Sequence, residues 1–198
     1  MNTLRLNSLY CGDCTQIMAT FPEECIDLTI TSPPYGNLRD YEGYSLDIPK
    51  LINQLYKTTK LGGIVVWVIG DQTQNGSESG ESFRQALMFL DAKWCLHDTM
   101  VFEKSGFSSP SSNRYHQTWE FMFVFSKGPP KTFNPIKDRL NKWPGPWGKN
   151  TKRQKDGTLK EGLKRDSQNE FGMRFNVWKY NVGKGNTTRD EIAFLHPA

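Results

Sequence analysis

Residues 47–71, DIPKLINQLYKTTKLGGIVVWVIGD, decide the fold class. Ile48, Leu51, Ile52 and Leu55 recur at i, i+3, i+4 and i+7. That is the spacing of one helix face, so a helix is predicted over Asp47–Lys60. The Leu61-Gly62-Gly63 step reads as its stop, because glycine beyond the last turn ends a helix without strain. Ile64–Ile69 is then apolar on both faces, the pattern of a strand buried between layers, as in parallel sheets covered by helices.

Working outward, Leu28–Thr31 reads as a short buried strand introduced by Asp27. A polar, Gly-rich loop (GDQTQNGSESG) follows Ile69. Ser82–Asp91 reads as a second helix with Phe83, Ala86, Leu87 and Leu90 on one face. Trp94–Phe102 alternates loosely, and Trp119–Ser126 (WEFMFVFS) is aromatic and β-branched, so both read as strands. Strands alternating with helices give an α/β layered domain. With 198 residues the chain has room for one domain, or one domain with an insertion. After Gly128 the texture changes to segments rich in Pro, Gly and Lys with little periodicity, such as KWPGPWGKN and TKRQKDGTLKEGLKRD. This is read as a loop-rich insertion. Apolar residues return in FNVWKYNVGKG.

Charge divides the chain at the same place. Residues 127–184 hold 15 Lys+Arg against 5 Asp+Glu, a net of +10, which leaves 10 against 16, or −6, for the rest. Ten net positive charges in one stretch are the footprint of a polyanion partner, or else a solvated basic loop. Cys11 and Cys14 have C-x-x-C spacing, but Cys25 and Cys95 are isolated and the three histidines are scattered. Free reduced thiols and no metal are therefore expected. No targeting segment is recognised, and the longest strongly apolar run, Ile64–Ile69, is far too short to span a bilayer. The expectation is a soluble, cytoplasmic protein that makes no membrane contact.

The predicted first strand ends on Thr31-Ser32-Pro33-Pro34-Tyr35. Two adjacent prolines give up two N–H donors and fix two φ angles. Ser32 and Pro33 each precede a proline and are biased away from the α region. The result is a stiff strip of carbonyl acceptors, a hydroxyl and an aromatic ring. In an open parallel sheet, ligands bind beyond the carboxyl ends of the strands. Thr31–Tyr35, Ile69-Gly70-Asp71 and the Gly12-Asp13 turn of YCGDC are three such ends, expected to converge on one crevice.

TSPPY resembles the (D/N/S)-P-P-(Y/F) signature of DNA amino methyltransferases, which methylate exocyclic amines of bases with S-adenosylmethionine. Four further landmarks resemble that family in the same order: LYCGDC before the strand, LGGIVVWVIGD, WEFMFVFSKG, and NVWKY with the terminal HPA. The resemblance implies a Rossmann-like, S-adenosylmethionine-dependent methyltransferase sheet with helices on both faces, plus a loop-rich basic insertion. It implies a catalytic core over residues 1–126, a target-recognition-like insertion over 127–184, and a return to the core over 185–198. Ser32 and the Pro33 carbonyl would accept hydrogen bonds from the base's amino group, Pro34 would hold them stiffly, and Tyr35 would face a flipped base. The absence of a Pro-Cys dipeptide counts against cytosine carbon-5 chemistry. Serine at position 32 leans towards cytosine N4 over adenine N6.

Thr31, Asp13 and Asp71 would lie on the cofactor side, although Asp13 could equally cap a turn and Asp71 hold a loop. Arg39 could order a lid over the base or pair on the surface. Lys142, Lys149, Lys152, Arg153, Lys155, Lys164 and Arg165 are spaced as phosphate contacts on double-stranded DNA would be. Trp143 and Trp147 are interleaved among them. The family's Gly-rich cofactor loop should follow HPA, and no F-x-G-x-G occurs in residues 1–198. A truncated chain, a partner chain supplying the loop, or self-association is therefore expected, in a prokaryotic or phage setting. A non-catalytic DNA-binding remnant and an amino methyltransferase acting on RNA or protein stay open as alternatives.

Overall fold

The computed structural model describes residues 4–34, 46–106, 112–142, 151–162 and 169–180. It divides into two compact units, one of residues 1–132 with 176–198 and one of 133–175. Val177–Tyr180, inside the expected insertion, belongs to the first unit's sheet.

The first unit runs α1 (Cys14–Ala19), β1 (Ile26–Thr31), α2 (Ile48–Thr58), β2 (Thr59–Ile69), β3 (Thr73–Gln74), β4 (Ser77–Glu78), α3 (Glu81–Asp91), β5 (Cys95–Lys104) and β6 (Trp119–Ser126). The second unit contributes β7 (Arg139–Leu140), β8 (Thr151–Arg153), β9 (Leu159–Glu161) and β10 (Phe171–Gly172), and β11 (Val177–Tyr180) returns to the first. The main sheet has the order β1-β2-β6-β5-β11. It is mixed, not parallel as expected: β1 and β2 are parallel, β6 is antiparallel to both β2 and β5, and β11 is parallel to β5.

α2 starts where expected. Asp47 accepts from Lys50 N at 3.0 Å, and Pro49 sits in the first turn, where its missing N–H costs nothing. Leu51, Ile52 and Leu55 are buried. The helix ends at Thr58, before the glycines. Lys127 stops it from outside: its Nζ donates to Tyr56 O at 2.9 Å and Thr59 O at 3.0 Å, a cation on the negative end of a helix. Leu61-Gly62-Gly63 lies inside β2 instead. There the partner of β1 shifts from Thr59 to Ile64 while β1 advances only from Ile26 to Leu28. Gly62 takes up the bulge at φ +81°, and a Cβ on it would lie 2.5 Å from Lys131 Cγ.

Alternation along β2 divides the core. Val65, Trp67 and Ile69 face α2 and α3 with Phe123, Phe125, Phe89 and Trp94. Val68 faces the other way, with Phe102 and Met122. Helices are expected on both faces; among the described residues α2 and α3 pack on the first only. Two further expectations change. Leu28 and Ile30 are about half exposed, so β1 is not a buried strand. On α3 the buried residues are Ser82, Gln85, Ala86 and Phe89, while Phe83, Leu87 and Leu90 are exposed. Gln85 is drawn inward because its Oε1 accepts from the fully buried Trp67 Nε1 at 2.9 Å.

The second unit pairs β7 with β10 and β8 with β9. Arg174 grips Asp138 through two guanidinium nitrogens, and Arg139 stacks over Phe175 with its carbon 4.5 Å from the ring centre. Among the described residues no helix is long and apolar enough to cross a membrane.

Candidate active site

The sheet register assembles one edge. β1 and β2 run together with Thr31 beside Trp67, so the next residues, Ser32 and Pro33, leave the sheet where Val68 and Ile69 do. Because β6 is antiparallel, its first residues meet the last of β2, and Ile69 pairs with Phe121. β5 ends at the same edge, with Glu103 opposite Trp119, and Tyr180 of β11 stands beside Lys104. The carboxyl ends of β1, β2, β5 and β11 thus meet the start of β6.

Ser32 is exposed at this edge, Pro33 is buried and Pro34 half-buried. A buried proline following an exposed serine is a fixed backbone corner with the serine at the surface. Thr31, the last residue of β1, is half-buried. Tyr35 and Arg39 lie outside the described residues.

Further along the edge is an open hollow of about 180 Å³. Gly70 and Asp71 form its β2 side, and Phe83, Trp119 and Phe121 its aromatic wall, with Tyr115, His116, Gln117, Glu78 and Glu120 around it. Trp119 and Phe83 each meet Phe121 edge-on, at 4.8 and 5.5 Å between ring centres. Glu120 is nearly buried and ion-paired with Lys104. A Cβ at Gly70 would stand 3.1 Å from Glu120 Cγ, so glycine here lets the carboxylate lie against β2. Gly70 and Asp71 belong to the Ile69-Gly70-Asp71 end expected at the crevice, and the other lining residues are not expected there from the sequence. The signal that would have found them is strand direction: only an antiparallel β6 brings Trp119 and Glu120 to this edge.

Asp71 is committed to α3. The helix N-cap position is Gly80 at φ +67°, which has no side-chain oxygen to offer. Asp71 reaches over from the end of β2 instead. It accepts from Ser82 N at 3.2 Å, from the Ser79 hydroxyl at 2.8 Å, and from the Ser82 hydroxyl. Burial works to raise its carboxyl, but the Ser82 and Ser79 hydroxyls, with the Ser82 and Glu81 amides, together outweigh burial and hold it below the ordinary value. Asp13 caps α1 in the same manner, accepting from the Thr15 hydroxyl at 2.5 Å, Thr15 N at 2.8 Å and Gln16 N at 3.0 Å. The Thr15 hydroxyl, then the Gln16 amide, lower its carboxyl, and Lys50 at the start of α2 adds a little.

Cys11, Cys14, Cys25 and Cys95 are free. What burial Cys14 has, and the Asp13 charge beside it, push its thiol up, the reverse of an activated redox cysteine. Among the described residues no cluster of His, Cys, Asp and Glu could hold a metal ion.

Of the expected nucleic-acid contacts, Lys142, Lys152, Arg153 and Lys155 are exposed on the second unit. Lys149, Lys164 and Arg165, with Trp143 and Trp147, lie outside the described residues.

A family model described as DNA methylase, of the N6/N4 type, matches residues 26–198. The orphan methyltransferase M.BamHII of Bacillus amyloliquefaciens is 50% identical over 190 residues, covering 94% of this chain and 68% of that protein. The type II methyltransferase M.PvuII of Proteus hauseri is 31% identical over 117 residues, covering 52% of this chain and 34% of that protein. A solved structure of PvuII DNA methyltransferase, titled cytosine-N4-specific, matches the fold with a TM-score of 0.55 at 19% identity, covering 90% of this chain and 58% of that one. The chain thus spans about two thirds of M.BamHII and rather more than half of the solved structure.

Proposed function

Because the chain belongs to the DNA methylase family of the N6/N4 type, we propose that its Ser32-Pro33-Pro34 corner is where the exocyclic amine of a DNA base is held for methylation, cytosine N4 in preference to adenine N6. The observation that carries this reading is the exposed Ser32 on a buried proline at the carboxyl edge of the sheet.

The amino nitrogen of a nucleobase is a poor nucleophile because its lone pair is delocalised into the ring. Ser32 Oγ and the Pro33 carbonyl accept hydrogen bonds from the two amino N–H groups and favour the pyramidal, attacking form. The prolines keep both acceptors in place, so no reorganisation is needed as charge develops. A stacked base cannot reach this corner, so the base is flipped out and Tyr35 offers it a flat face. The family's donor, S-adenosylmethionine, supplies an electrophilic methyl on a sulfonium sulfur when bound. The described residues fit the methyl-accepting side of such a reaction better than the donor side. Asp13 and Asp71, the carboxylates expected near the donor, both serve helix caps, with Thr31 closest to the corner. The basic second unit grips duplex DNA.

The test mixes the protein with labelled S-adenosylmethionine and unmethylated duplex DNA, with transfer of labelled methyl to the DNA as readout. Ser32→Ala is expected to lower kcat by about a hundredfold, by analogy with removing one pre-organised hydrogen-bonding group, and to leave duplex affinity unchanged. An unchanged kcat would refute the role of the corner. Hydrolysis of the labelled DNA to nucleosides distinguishes N4-methylcytosine from N6-methyladenine. Duplex binding without label transfer would favour the non-catalytic reading.

A further inference from the structure

β8 and β9 form a two-stranded ribbon with Thr151 opposite Glu161, Lys152 opposite Lys160, and Arg153 opposite Leu159. Alternation puts Lys152 and Lys160 on one face, and Thr151, Arg153, Leu159 and Glu161 on the other. The connecting turn is well tied. Gln154 N donates to Thr158 O at 2.8 Å, Gly157 N donates to Gln154 O at 3.1 Å with Gly157 at φ +85°, and Asp156 accepts from Thr158 N at 3.0 Å and from its hydroxyl at 2.7 Å. All residues from Thr151 to Glu161 are exposed.

The two faces differ in charge. The first carries two lysines and no acid. On the second, Arg153 and Glu161 cancel. Like charges directly opposite one another destabilise a strand pair. Among the described residues neither lysine has an ion-pair partner. A lone two-stranded ribbon is marginal in water to begin with. A polyanion laid along the lysine face removes the repulsion, and B-form DNA has a major groove that admits a two-stranded ribbon.

Resting on the DNA reading above, we propose that the Lys152/Lys160 face of the β8–β9 ribbon is the surface that lies on duplex DNA, with the Arg153 face turned away. Lys160 thereby joins the contacts expected from sequence, and Arg153 leaves them.

The test measures duplex affinity of the full chain across a salt series by fluorescence anisotropy. Each phosphate contact contributes about 0.9 to the slope of log K against log salt. Lys152→Gln with Lys160→Gln is expected to flatten the slope by about 1.8, which is roughly 60-fold weaker binding at 0.1 M salt for equal affinity at 1 M. Arg153→Gln is expected to leave the slope unchanged. Lys152→Glu creates an opposite-charge pair with Lys160, which favours the hairpin, yet it is expected to weaken DNA binding. A purely structural role for Lys152 predicts no such loss. An unchanged slope in the double variant, or an equal flattening by Arg153→Gln, overturns the ribbon assignment while the DNA reading stands. Failure of the parent chain to bind duplex DNA overturns the DNA reading, and the ribbon assignment with it.

Discussion

Replacing Asp71 separates a helix-capping role from a ligand-binding one. Its carboxylate is the side-chain cap of α3, whose own N-cap is a glycine. Loss of an N-cap acceptor costs about 0.5–2 kcal/mol. Ser82 is fully buried, and its hydroxyl would lose its acceptor, a penalty of about 1–3 kcal/mol. The two terms share one atom group and do not simply add, so Asp71→Ala is expected to lower stability by about 2–3 kcal/mol. Asp71→Asn keeps a carbonyl oxygen for one donor and should lose about 1 kcal/mol. The assay is urea unfolding followed by tryptophan fluorescence, because Trp67 and Trp94 are both buried in the core beneath α3. The midpoint should fall with an unchanged slope. The pH dependence has a fixed sign. A carboxyl whose folded pKa is depressed stabilises above its unfolded value and loses that contribution as pH falls through the folded value. The stability advantage of the parent over the Asp71→Asn variant should therefore be constant down to the ordinary carboxyl value of 3.8 and shrink below it. Stability within about 0.5 kcal/mol of the parent for Asp71→Ala, or an advantage that grows on acidification, would refute the capping argument. Unchanged stability with lost S-adenosylmethionine affinity would instead make Asp71 a binding residue.

Two further changes test what holds the edge in place. Lys127 Nζ meets two carbonyls at the end of α2, pairs with Glu24 at 3.1 Å and lies 4.8 Å from the centre of the Tyr56 ring, so Lys127→Met should cost about 2 kcal/mol by urea midpoint. Glu24 is largely exposed, and Glu24→Gln should cost under about 1 kcal/mol; equal losses from the two would show that the helix end contributes nothing. Gln85→Leu leaves the buried Trp67 Nε1 without an acceptor and should cost about 1–3 kcal/mol, and an unchanged midpoint in thermal unfolding would count against the hydrogen bond.

Where the sequence reading succeeded, the information was local. The α2 face follows from Ile48, Leu51, Ile52 and Leu55, and its start from Asp47. Where the reading failed, the deciding partner was far away in the chain. The α3 face went wrong because Gln85 and Ser82 are buried by hydrogen bonds to Trp67 and Asp71, which no periodicity of the helix itself reveals. Gly62 and Gly63 looked like a helix stop, but Lys127 performs that task and the glycines shape a bulge. The hollow at the end of β2 and the start of β6 was not legible, since it depends on the direction of β6. A parallel β6 would put Trp119 and Glu120 at the opposite end of the sheet.

Counting charge along the chain mixed two kinds of cation, and the structure separates them. Of the 15 Lys+Arg between residues 127 and 184, only 11 fall in the 133–175 unit, where they face 5 acids for a net of +6. Lys127, Lys131, Lys179 and Lys184 belong to the first unit. Lys127 closes α2, and Lys179 pairs with Glu103 on the neighbouring strand at 2.7 Å. Within the second unit, Arg139 and Arg174 are also engaged, on Phe175 and Asp138. The cations left over among the described residues are lysines on exposed loops and the β8–β9 ribbon, with Arg153 on the ribbon's other face. They outnumber the acids of their unit and their mutual repulsion disfavours the compact state, so they are better explained by a partner than by the fold. In the proposed function, chemistry at the sheet edge would rest on short-range acceptors and a stiff backbone, which salt barely screens, whereas a grip on DNA would rest on counterion release, which salt governs. Rate at saturating DNA and affinity for DNA should accordingly be controlled by different residues in different units, Ser32 for the first and the ribbon lysines for the second.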